Sequence, residues 1–468
     1  MASPPGARPG WKPRPKARPD RTAPDPAQGP YAGVFDLIEA GETNVLLSGR
    51  AGSGKTTFLR GLIARTKRKA VVVAPSGVAA LNAGGQTLHS LFNLPPRLIE
   101  PSDVKKAREG RVIANLDLLI IDEISMVRAD MLDAIDRSLK LHRGNRIPFG
   151  GAQVLCIGDL AQLPPVVERD VAPVLASRFG GPYFFHAPAF REAGFTSVVL
   201  QQVFRQQEGD FLSLLDRMRL GNTTEEDMAL LETRVRAERP PVEASAIVLT
   251  STNEAARRIN DEELARLPGE PVALSAKVDG EFDARLFPTD ENLVLKPGAR
   301  VVLLRNDPDG RWVNGSLAEV VSAGWDGVEI SIRGEVHELE KVAWERMIYS
   351  FDAASDAVER RVAGTFRQYP IKPAWALTIH KAQGLTFDAV HVDLGRGAFA
   401  HGQSYVALSR CRSLEGLTLS RPLSMRDVIV DPRALAVGRI RQPQNFGDWR
   451  MGALEPAPDP RFDQSISD

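Results

Sequence analysis

Four short apolar runs alternate with helical patterns in the first 205 residues, and each run ends at a polar, glycine or proline residue. Strands that are buried on both faces give continuous apolar runs, and the helices between them form the crossovers of a parallel sheet. The pattern therefore predicts an α/β domain over residues 31–204. The four runs are NVLLSG (44–49), AVVVAP (70–75), LDLLIIDE (116–123) and AQVLCIGD (152–159).

The pattern changes twice in the second half of the chain. Residues 206–265 are mostly helical in pattern, interrupted by one strand-like run, AIVLTST. From Lys296, short alternating runs separated by turn sequences such as PDGRWVNG and GWDG are typical of a small antiparallel barrel. Later runs, AWALTIHKAQG and AVHVDL, return to the α/β pattern. The predicted divisions are a second α/β domain over 205–295 and 369–440, and a barrel inserted at 296–368.

Composition limits the class of protein but does not identify it. The 468 residues are 43% hydrophobic and 25% charged, as in a globular protein, and no apolar run approaches ~20 residues. We therefore expect no membrane partner. Two cysteines cannot form a disulfide framework, which favours a cytoplasmic protein, nucleoid-associated if the source is bacterial. The formal net charge of zero does not exclude a local basic channel.

Both ends of the chain lack a secondary-structure pattern. Residues 1–30 are rich in proline, arginine and lysine, and we interpret them as a disordered basic arm. Its role is open between weak phosphate contact and none. Residues 441–468 are interpreted as a loose tail.

The segment GRAGSGKT (Gly49 to Thr56) matches the G-x-x-x-x-G-K-[ST] pattern and lies between a predicted strand and a predicted helix. Gly52 and Gly54 allow backbone amides to wrap phosphates, and the helix start adds partial positive charge. Lys55 is expected to reach the β- and γ-phosphates, and Thr56 to ligate Mg²⁺. The predicted nucleotide-binding residues of this segment are Gly49, Gly52, Ser53, Gly54, Lys55, Thr56 and Thr57.

An acidic pair ends the third apolar run. Asp122 is expected to hold Mg²⁺, directly or through water, and Glu123 to orient and deprotonate the attacking water. Together with the phosphate loop, the pair indicates an NTPase. Switch GTPases, transporters and motors share these parts, so the residues alone leave the driven process open.

Further motifs resemble those of superfamily 1 helicases. GDLAQLPPV (158–166) resembles the third motif of that superfamily, and the whole set is similar to the PIF/RecD-like branch, superfamily 1B. The motifs follow the family order over about residues 45–420. The others are APSGVAALNAGGQTLHSLF (74–92), IIDEISMV (120–127), LQQVFRQ (200–206), WALTIHKAQGLTFD (375–388) and YVALSRCR (405–412).

The resemblance implies an α/β fold of two RecA-like P-loop domains with parallel sheets and ATP in the cleft between them. Gln162 would then sense the γ-phosphate, and Arg205 and Arg410 would act from the second domain as arginine fingers. Gln383 and Gly384 would line the same cleft. Without the motifs, both arginines would more often be solvent-exposed side chains or salt-bridge partners.

The resemblance also implies a path for single-stranded DNA across both domains. Hydroxyl, imidazole and backbone groups suit phosphate contacts, which position a strand without reading its sequence. A packed, structural role is the alternative for either histidine, and core packing is the alternative for Phe92 as a base-stacking residue. The predicted DNA-binding residues are Pro75, Ser76, Thr87, His89, Ser90, His380 and Lys381.

Two accessory segments and one departure follow from the same resemblance. Residues 94–115 occupy the place of a short wedge-bearing insertion, although their basic residues fit a solvated helix face equally well. The barrel at 296–368 is similar to the SH3-like accessory domain of this branch. The family's adenine-recognising glutamine is missing before the phosphate loop, because Gln28 lies in the predicted arm. Base selectivity is therefore open.

The prediction is an ATP- and Mg²⁺-dependent DNA helicase that acts as a monomer on single-stranded DNA and at single-strand/double-strand junctions. The resemblance implies 5′-to-3′ movement, which the motif spacing does not show. It would serve DNA replication, repair or recombination. Two alternatives remain: a DNA-stimulated translocase that does not unwind, and a slow, nucleotide-gated DNA-binding module. The residues identify no protein partner.

Overall fold

A computed structural model gives the fold of the chain. It describes residues 26–27, 31–50, 52–200, 209–236, 238, 246–309, 311–312, 314–324, 327–332, 334–352, 355, 357–438 and 450–453. Most of the predicted arm over 1–30, most of the predicted tail over 441–468, and Arg205 lie outside the described residues. Within the described part of the chain, no helix is long and apolar enough to cross a membrane.

The first domain is a parallel sheet flanked by helices. Its strands lie in the order β6-β1-β5-β4-β2-β3, and all of them run parallel. All four predicted strands are confirmed. The elements are α1 (Ala32–Ala40), β1 (Asn44–Gly49), α2 (Lys55–Arg65), β2 (Ala70–Ala74), α3 (Gly77–Ala83), β3 (Gln86–Thr87), α4 (Leu88–Phe92), α5 (Gly110–Asn115), β4 (Leu118–Ile121), α6 (Ala129–Arg143), β5 (Gln153–Gly158), α7 (Ala172–Phe179), α8 (Pro188–Ala193) and β6 (Phe195–Leu200).

Both faces of this sheet are covered, which explains the continuous apolar runs. Alternate residues of a strand point to opposite faces. Leu155 and Ile157 of β5 pack in the cluster that holds α1 and α2, whereas Val154 and Cys156 pack in the cluster that holds α6. Every residue of β5 is buried. The phosphate loop and the acidic pair both follow such strands, so they lie at the carboxyl edge of the sheet.

The second domain is a smaller parallel sheet assembled from two separate segments. Its strands lie in the order β18 (Ala376–Thr378), β7 (Ile247–Thr250), β19 (Val390–Asp393) and β20 (Leu417–Leu419). The first segment holds α9 (Gly209–Leu220), α10 (Glu225–Glu232), β7 (Ile247–Thr250) and α11 (Asn253–Arg266).

Antiparallel strands separate the two segments. They form a five-stranded sheet in the order β14-β13-β12-β11-β17, a three-stranded sheet β15-β16-β9 and a pair β10-β8. They begin at Val272, earlier than the Lys296 boundary drawn from the sequence. The strands are β8 (Val272–Ser275), β9 (Lys277–Gly280), β10 (Asn292–Leu295), β11 (Arg300–Leu303), β12 (Leu317–Ala323), β13 (Val328–Ile332), β14 (Glu335–Leu339), β15 (Val342–Asp352), β16 (Ala357–Gln368) and β17 (Ile371–Pro373).

The second segment then completes the second domain. The short strand β21 returns to the first sheet, where it pairs antiparallel with β6. The remaining elements are β18 (Ala376–Thr378), β19 (Val390–Asp393), α12 (Gln403–Leu408), β20 (Leu417–Leu419), α13 (Pro432–Gly438) and β21 (Arg450–Ala453).

The long hairpin β15–β16 crosses back to the first domain. Tyr349 is buried in the first domain's core, and its hydroxyl accepts a hydrogen bond of 3.0 Å from the Val72 backbone amide. This bond satisfies an amide of β2 near the open edge of the sheet, where an unpaired buried donor would be costly. The hairpin therefore ties the antiparallel region to the domain that carries the phosphate loop.

The segment after β5 joins the two α/β domains. It belongs to the first domain by sequence, yet Ala161 and Leu163 pack in the core of the second domain, with side chains of α9 and α12. Leu163 is fully buried there. The residue between them, Gln162, is consequently held at the boundary between the domains.

Candidate functional site

The loop between β1 and α2 has the geometry of a phosphate cradle. Gly52 and Gly54 have φ of 80° and 85°, a left-handed backbone conformation that residues other than glycine rarely adopt. At Gly49, a Cβ atom would lie 2.6 Å from the Ser53 hydroxyl oxygen. Among the described residues, that buried hydroxyl has no hydrogen-bond partner. A close backbone and an unsatisfied donor at a helix start fit a nucleotide phosphate.

Lys55 lies at the first position of α2 with its amine turned into this loop. The Nζ atom donates to the carbonyl oxygens of Gly49, at 2.7 Å, and Arg50, at 2.8 Å. Desolvation lowers the pKa of Lys55, whereas the nearby charges of Asp159 and Glu123 oppose that change. Thr56 and Thr57 are exposed beside it, so the hydroxyl predicted to ligate Mg²⁺ is accessible.

The acidic pair follows the buried strand β4. Burial raises the pKa of Asp122 to about 6. Burial, and then the charge of Asp122, raise the pKa of Glu123 to about 7. A general base works best with a pKa near the working pH, so Glu123 suits proton abstraction. Glu123 also has φ of 52°, a strained conformation that is frequent at functional sites.

The donor set fits Mg²⁺ bound together with a nucleotide. Within the described residues, no three His, Cys, Asp or Glu side chains form a metal cage. Mg²⁺ typically takes one or two protein oxygens and completes its shell with substrate phosphates and water. Thr56 and Asp122 supply oxygens of this kind at the same edge of the sheet.

Side chains from both domains meet at Gln162. Its Oε1 accepts a 2.9 Å hydrogen bond from Nε2 of Gln383, which belongs to the second domain. The same Gln383 amide lies 3.4 Å from the Glu123 carboxylate. Gly384 follows with φ of 82°, in an exposed turn. The structure therefore brings Glu123, Gln162 and Gln383 together, as the resemblance implied.

Arg410 approaches this group from the second domain but is bonded within it. Its guanidinium donates to the carbonyl oxygens of Val406 and Leu385, at 3.0 and 3.1 Å, and to the Ser409 hydroxyl at 2.8 Å. The side chain is almost wholly buried. Its positive charge is close enough to lower the pKa of Glu123 against the burial that raises it. Its role as an arginine finger stays a prediction, as does that of Arg205.

Comparison with known proteins decides the family. A family model described as PIF1-like helicase matches residues 31–229. The ATP-dependent DNA helicase Pif1 of Bdellovibrio bacteriovorus is 32% identical over 419 residues, which cover 86% of this chain and 90% of that protein. The chain belongs to the PIF1-like helicase family. The Danio rerio helicase PIF1 is 34% identical over 82% of this chain, but the match spans only 59% of that longer protein.

Solved PIF1-like structures agree with the fold. Unliganded Pif1 from Bacteroides sp. is 35% identical, with a TM-score of 0.82 over 90% of this chain and 98% of that one. Bacteroides Pif1 bound to single-stranded DNA has the same identity and covers 86% of this chain and 94% of that one, but its TM-score is 0.63. A structure of DNA unwinding at forked duplex DNA by two coordinating Pif1 helicases has a TM-score of 0.62 and covers 86% of this chain and 94% of that one. The described arrangement thus resembles the DNA-free one more closely.

In this PIF1-like chain, the first-domain residues of the predicted DNA path lie at the carboxyl edge of the sheet. Pro75 follows β2. The hydroxyls of Ser76 and Thr87 cap α3 and α4 by accepting from the Ala79 and Ser90 amides, both at 3.2 Å. These caps give the hydroxyls a structural role in the described state.

The remaining predicted DNA contacts are distributed over both domains. His89 and His380 are half-buried, and burial lowers the pKa of His380. Lys381 is exposed beside it. The Ser90 hydroxyl accepts a 3.1 Å hydrogen bond from Arg346 of the hairpin β15–β16. Phe92, by contrast, is a core residue, which confirms the packing alternative.

Several residues at this site were missed in the sequence analysis. Asp159 lies inside the quoted third motif and Tyr405 begins the last one, so the motifs themselves were the available signal. Arg219 lies in α9 within an ordinary amphipathic pattern, which does not distinguish it from other surface arginines of a helix. Arg346 belongs to a hairpin whose position on the first domain no local pattern shows.

Proposed function

We propose that this chain is an ATP-dependent DNA helicase that moves along single-stranded DNA and unwinds duplexes. The observation that carries the proposal is the contact of Gln383 with both Gln162 and Glu123. It joins the residues expected to act on the γ-phosphate to the second α/β domain. A nucleotide bound in this cleft would therefore change the fit between the domains, which is what a two-domain motor requires.

The chemistry assigned to the chain follows from its side chains. The loop amides and Lys55 would bind the phosphates, and Lys55 would exchange its bonds to the Gly49 and Arg50 carbonyls for phosphate oxygens. Mg²⁺, held by Thr56 and Asp122, would neutralise phosphate charge. Glu123 would orient the attacking water and accept its proton. Phosphoryl transfer depends mainly on such positioning and charge neutralisation.

Movement would come from the second domain. Arg205 and Arg410 would approach the γ-phosphate as the domains close, and hydrolysis would release them. To do so, Arg410 would have to give up at least some of its hydrogen bonds to Val406, Leu385 and Ser409. If the grip on the DNA strand alternates between the first domain, at Ser76, and the second domain, at His380, each cycle of ATP hydrolysis would move the protein about one step along the strand. We propose 5′-to-3′ travel, in replication, repair or recombination.

The test compares duplexes with a 5′ or a 3′ single-stranded overhang, with ATP and Mg²⁺. Unwinding of the 5′-overhang substrate alone is the expected result. Single-stranded DNA should also stimulate ATP hydrolysis, and Glu123→Gln should abolish turnover while ATP-dependent DNA binding persists. Higher salt should weaken DNA binding steeply, because phosphate contacts release counterions. Preferential unwinding of the 3′-overhang substrate would overturn the proposed polarity. An ATPase rate that single-stranded DNA does not change would overturn the proposal that the chain is a motor.

One observation favours translocation without unwinding as a second candidate. The segment at 94–115 is short, and its only regular helix, α5, packs on α6. Displacement of streptavidin from a biotinylated single strand, measured beside fork unwinding, separates the two activities. Displacement of streptavidin without unwinding of the fork would support the second candidate.

Oligomeric state and location complete the proposal. We propose a monomer in the cytoplasm, at the nucleoid if the source is bacterial, that acts on single strands and junctions. Light scattering with and without forked DNA measures the state directly. A stable dimer on the fork would replace the monomer.

A further inference from the structure

The carboxylate of Asp159 lies at the boundary of the two α/β domains. It follows β5 directly and is 1% exposed. One oxygen accepts from the Ala161 amide, at 3.2 Å, and from Arg219, at 3.2 Å to Nε and 3.1 Å to Nη2. The other accepts from Nε2 of Gln162 and from the Tyr405 hydroxyl, both at 3.2 Å. This one side chain therefore joins the Gln162 segment to the second domain.

Its partners come from two helices of the second domain. Arg219 lies in α9, with its side chain 17% exposed, and Tyr405 lies in α12. Burial opposes ionisation of Asp159, but the charges of Arg219 and Lys55 outweigh it and hold the pKa of Asp159 below its ordinary value. A buried carboxylate separated from its guanidinium is strongly unfavourable. Asp159 and Arg219 are therefore expected to move together.

The same carboxylate fixes the orientation of Gln162. The Gln162 amide has a donor end and an acceptor end, and each has a different partner. The NH₂ group donates to Asp159, so the carbonyl oxygen is turned toward Gln383, which donates to it at 2.9 Å. Without Asp159 in place, the amide could turn over and present the wrong end.

A second ion pair connects α9 to the phosphate loop. Arg50 of that loop pairs with Asp216, three residues before Arg219 and thus on the same face of α9. The Arg50 carbonyl is one of the two that bind the Lys55 amine. One helix of the second domain is thereby in contact with both segments that are predicted to surround the nucleotide phosphates.

We propose that Arg219 is a positioning residue for ATP hydrolysis: through Asp159, and together with Tyr405, it orients Gln162 and links that orientation to the position of α9. This deepens the function proposed above and rests on it. The competing explanation is a purely structural ion pair that holds the domains together.

The test measures kcat and KM of single-stranded-DNA-stimulated ATP hydrolysis, and base pairs unwound per ATP, in the full chain. The variants are Arg219→Gln, Arg219→Lys and Tyr405→Phe. Arg217→Gln is the matched control, because Arg217 lies on the same helix and pairs with Asp227 inside the second domain. A wild type without DNA-stimulated ATPase would defeat the proposed function itself, before any variant is compared.

In metal sites, loss of a group that orients a ligand typically costs 10- to 100-fold in affinity or activity, and we take the lower end of that range for a group that orients Gln162. We expect Arg219→Gln to lower kcat and base pairs unwound per ATP on the order of tenfold, with KM for ATP changed by less than about twofold. Arg219→Lys should recover part of the loss, because it keeps the charge but loses the planar fork. Arg217→Gln should keep the kcat, the KM and the base pairs unwound per ATP of wild type, even where its melting temperature falls because the buried Asp227 loses its partner.

Two results would overturn the proposal in an active wild type. One is an Arg219→Gln enzyme with the kinetics of Arg217→Gln. The other is a variant whose melting temperature falls while kcat and coupling stay unchanged, as a structural ion pair predicts. If Arg219→Gln does not fold, Tyr405→Phe decides, since it removes a single hydroxyl. A fall in its kcat on the order of threefold at unchanged KM supports the proposal, and unchanged kcat refutes it.

Discussion

Replacing Glu123 by glutamine is expected to stabilise the fold while it abolishes turnover. The change keeps the size of the side chain and removes its charge. In the wild type, burial and the neighbouring Asp122 charge raise the pKa of Glu123 from its ordinary 4.5 to about 7. The folded chain thus holds a proton there more tightly than the unfolded chain. That contribution to stability is full below about pH 4.5 and is lost as the pH rises through about 7.

The magnitude follows from the size of the pKa change. At about 1.36 kcal/mol per pH unit, a rise from 4.5 to about 7 corresponds to about 3 kcal/mol. Solvent reaches part of the side chain and Asp122 shares the effect, so we expect about 1–2 kcal/mol. For a domain of this size, that raises the melting temperature of Glu123→Gln by about 2–8 °C at pH 8.

The assay compares thermal melts of wild type and Glu123→Gln at pH 5 and pH 8, without nucleotide or metal. Glu192→Gln is the matched control, because Glu192 is an exposed glutamate of the same domain. The gain should be large at pH 8, small at pH 5 and absent in the control. ATP turnover should fall by at least about 100-fold, as expected for loss of a general base. An equal gain at both pH values, or none at pH 8, would refute the reasoning from buried charge.

Three further changes test other contacts. Gln162→Ala removes the link between Asp159 and Gln383, so base pairs unwound per ATP should fall further than ATP affinity; equal losses in both measurements would contradict this. Gly49→Ala places a Cβ atom 2.6 Å from the Ser53 hydroxyl and 3.0 Å from the Leu200 Cβ atom, and should raise KM for ATP on the order of tenfold. An unchanged KM would show that the loop gives way freely. Tyr349→Phe leaves the buried Val72 amide unpaired and should cost about 1–3 kcal/mol, read as a lower melting temperature; a melt identical to wild type would contradict that role.

The sequence predicted the elements whose signal is local. The buried strands β1, β2, β4 and β5 have continuous apolar runs, which predicted the strands directly. The residues expected to bind phosphate follow these runs in the sequence, so the same pattern also indicated where they lie. The strands β8 to β10 were not predicted. Short and largely exposed, as in β9, such strands give little apolar pattern.

The contacts between domains could not be predicted in the same way. Arg219 has its partner 60 residues away and Tyr349 has its partner 277 residues away. Neither residue differs locally from a surface arginine or an ordinary strand tyrosine. Motif resemblance supplied Gln162 and Gln383 as members of one cleft, but it did not indicate that Asp159 is their connection to α9.

The packing of the Gln162 segment restricts how the two domains can move. Leu163 is fully buried in the second domain's core, and extracting a leucine of this kind costs about 2 kcal/mol before the Asp159–Arg219 pair is broken. Full separation of the domains at this point is therefore more costly than rotation around it. TM-scores of 0.82 against unliganded and 0.63 against DNA-bound Bacteroides Pif1 show that these two structures of the relative differ in arrangement. A movement of the two domains that leaves Leu163 buried is therefore a rotation around Ala161, Gln162 and Leu163, and not a separation of the domains at these residues.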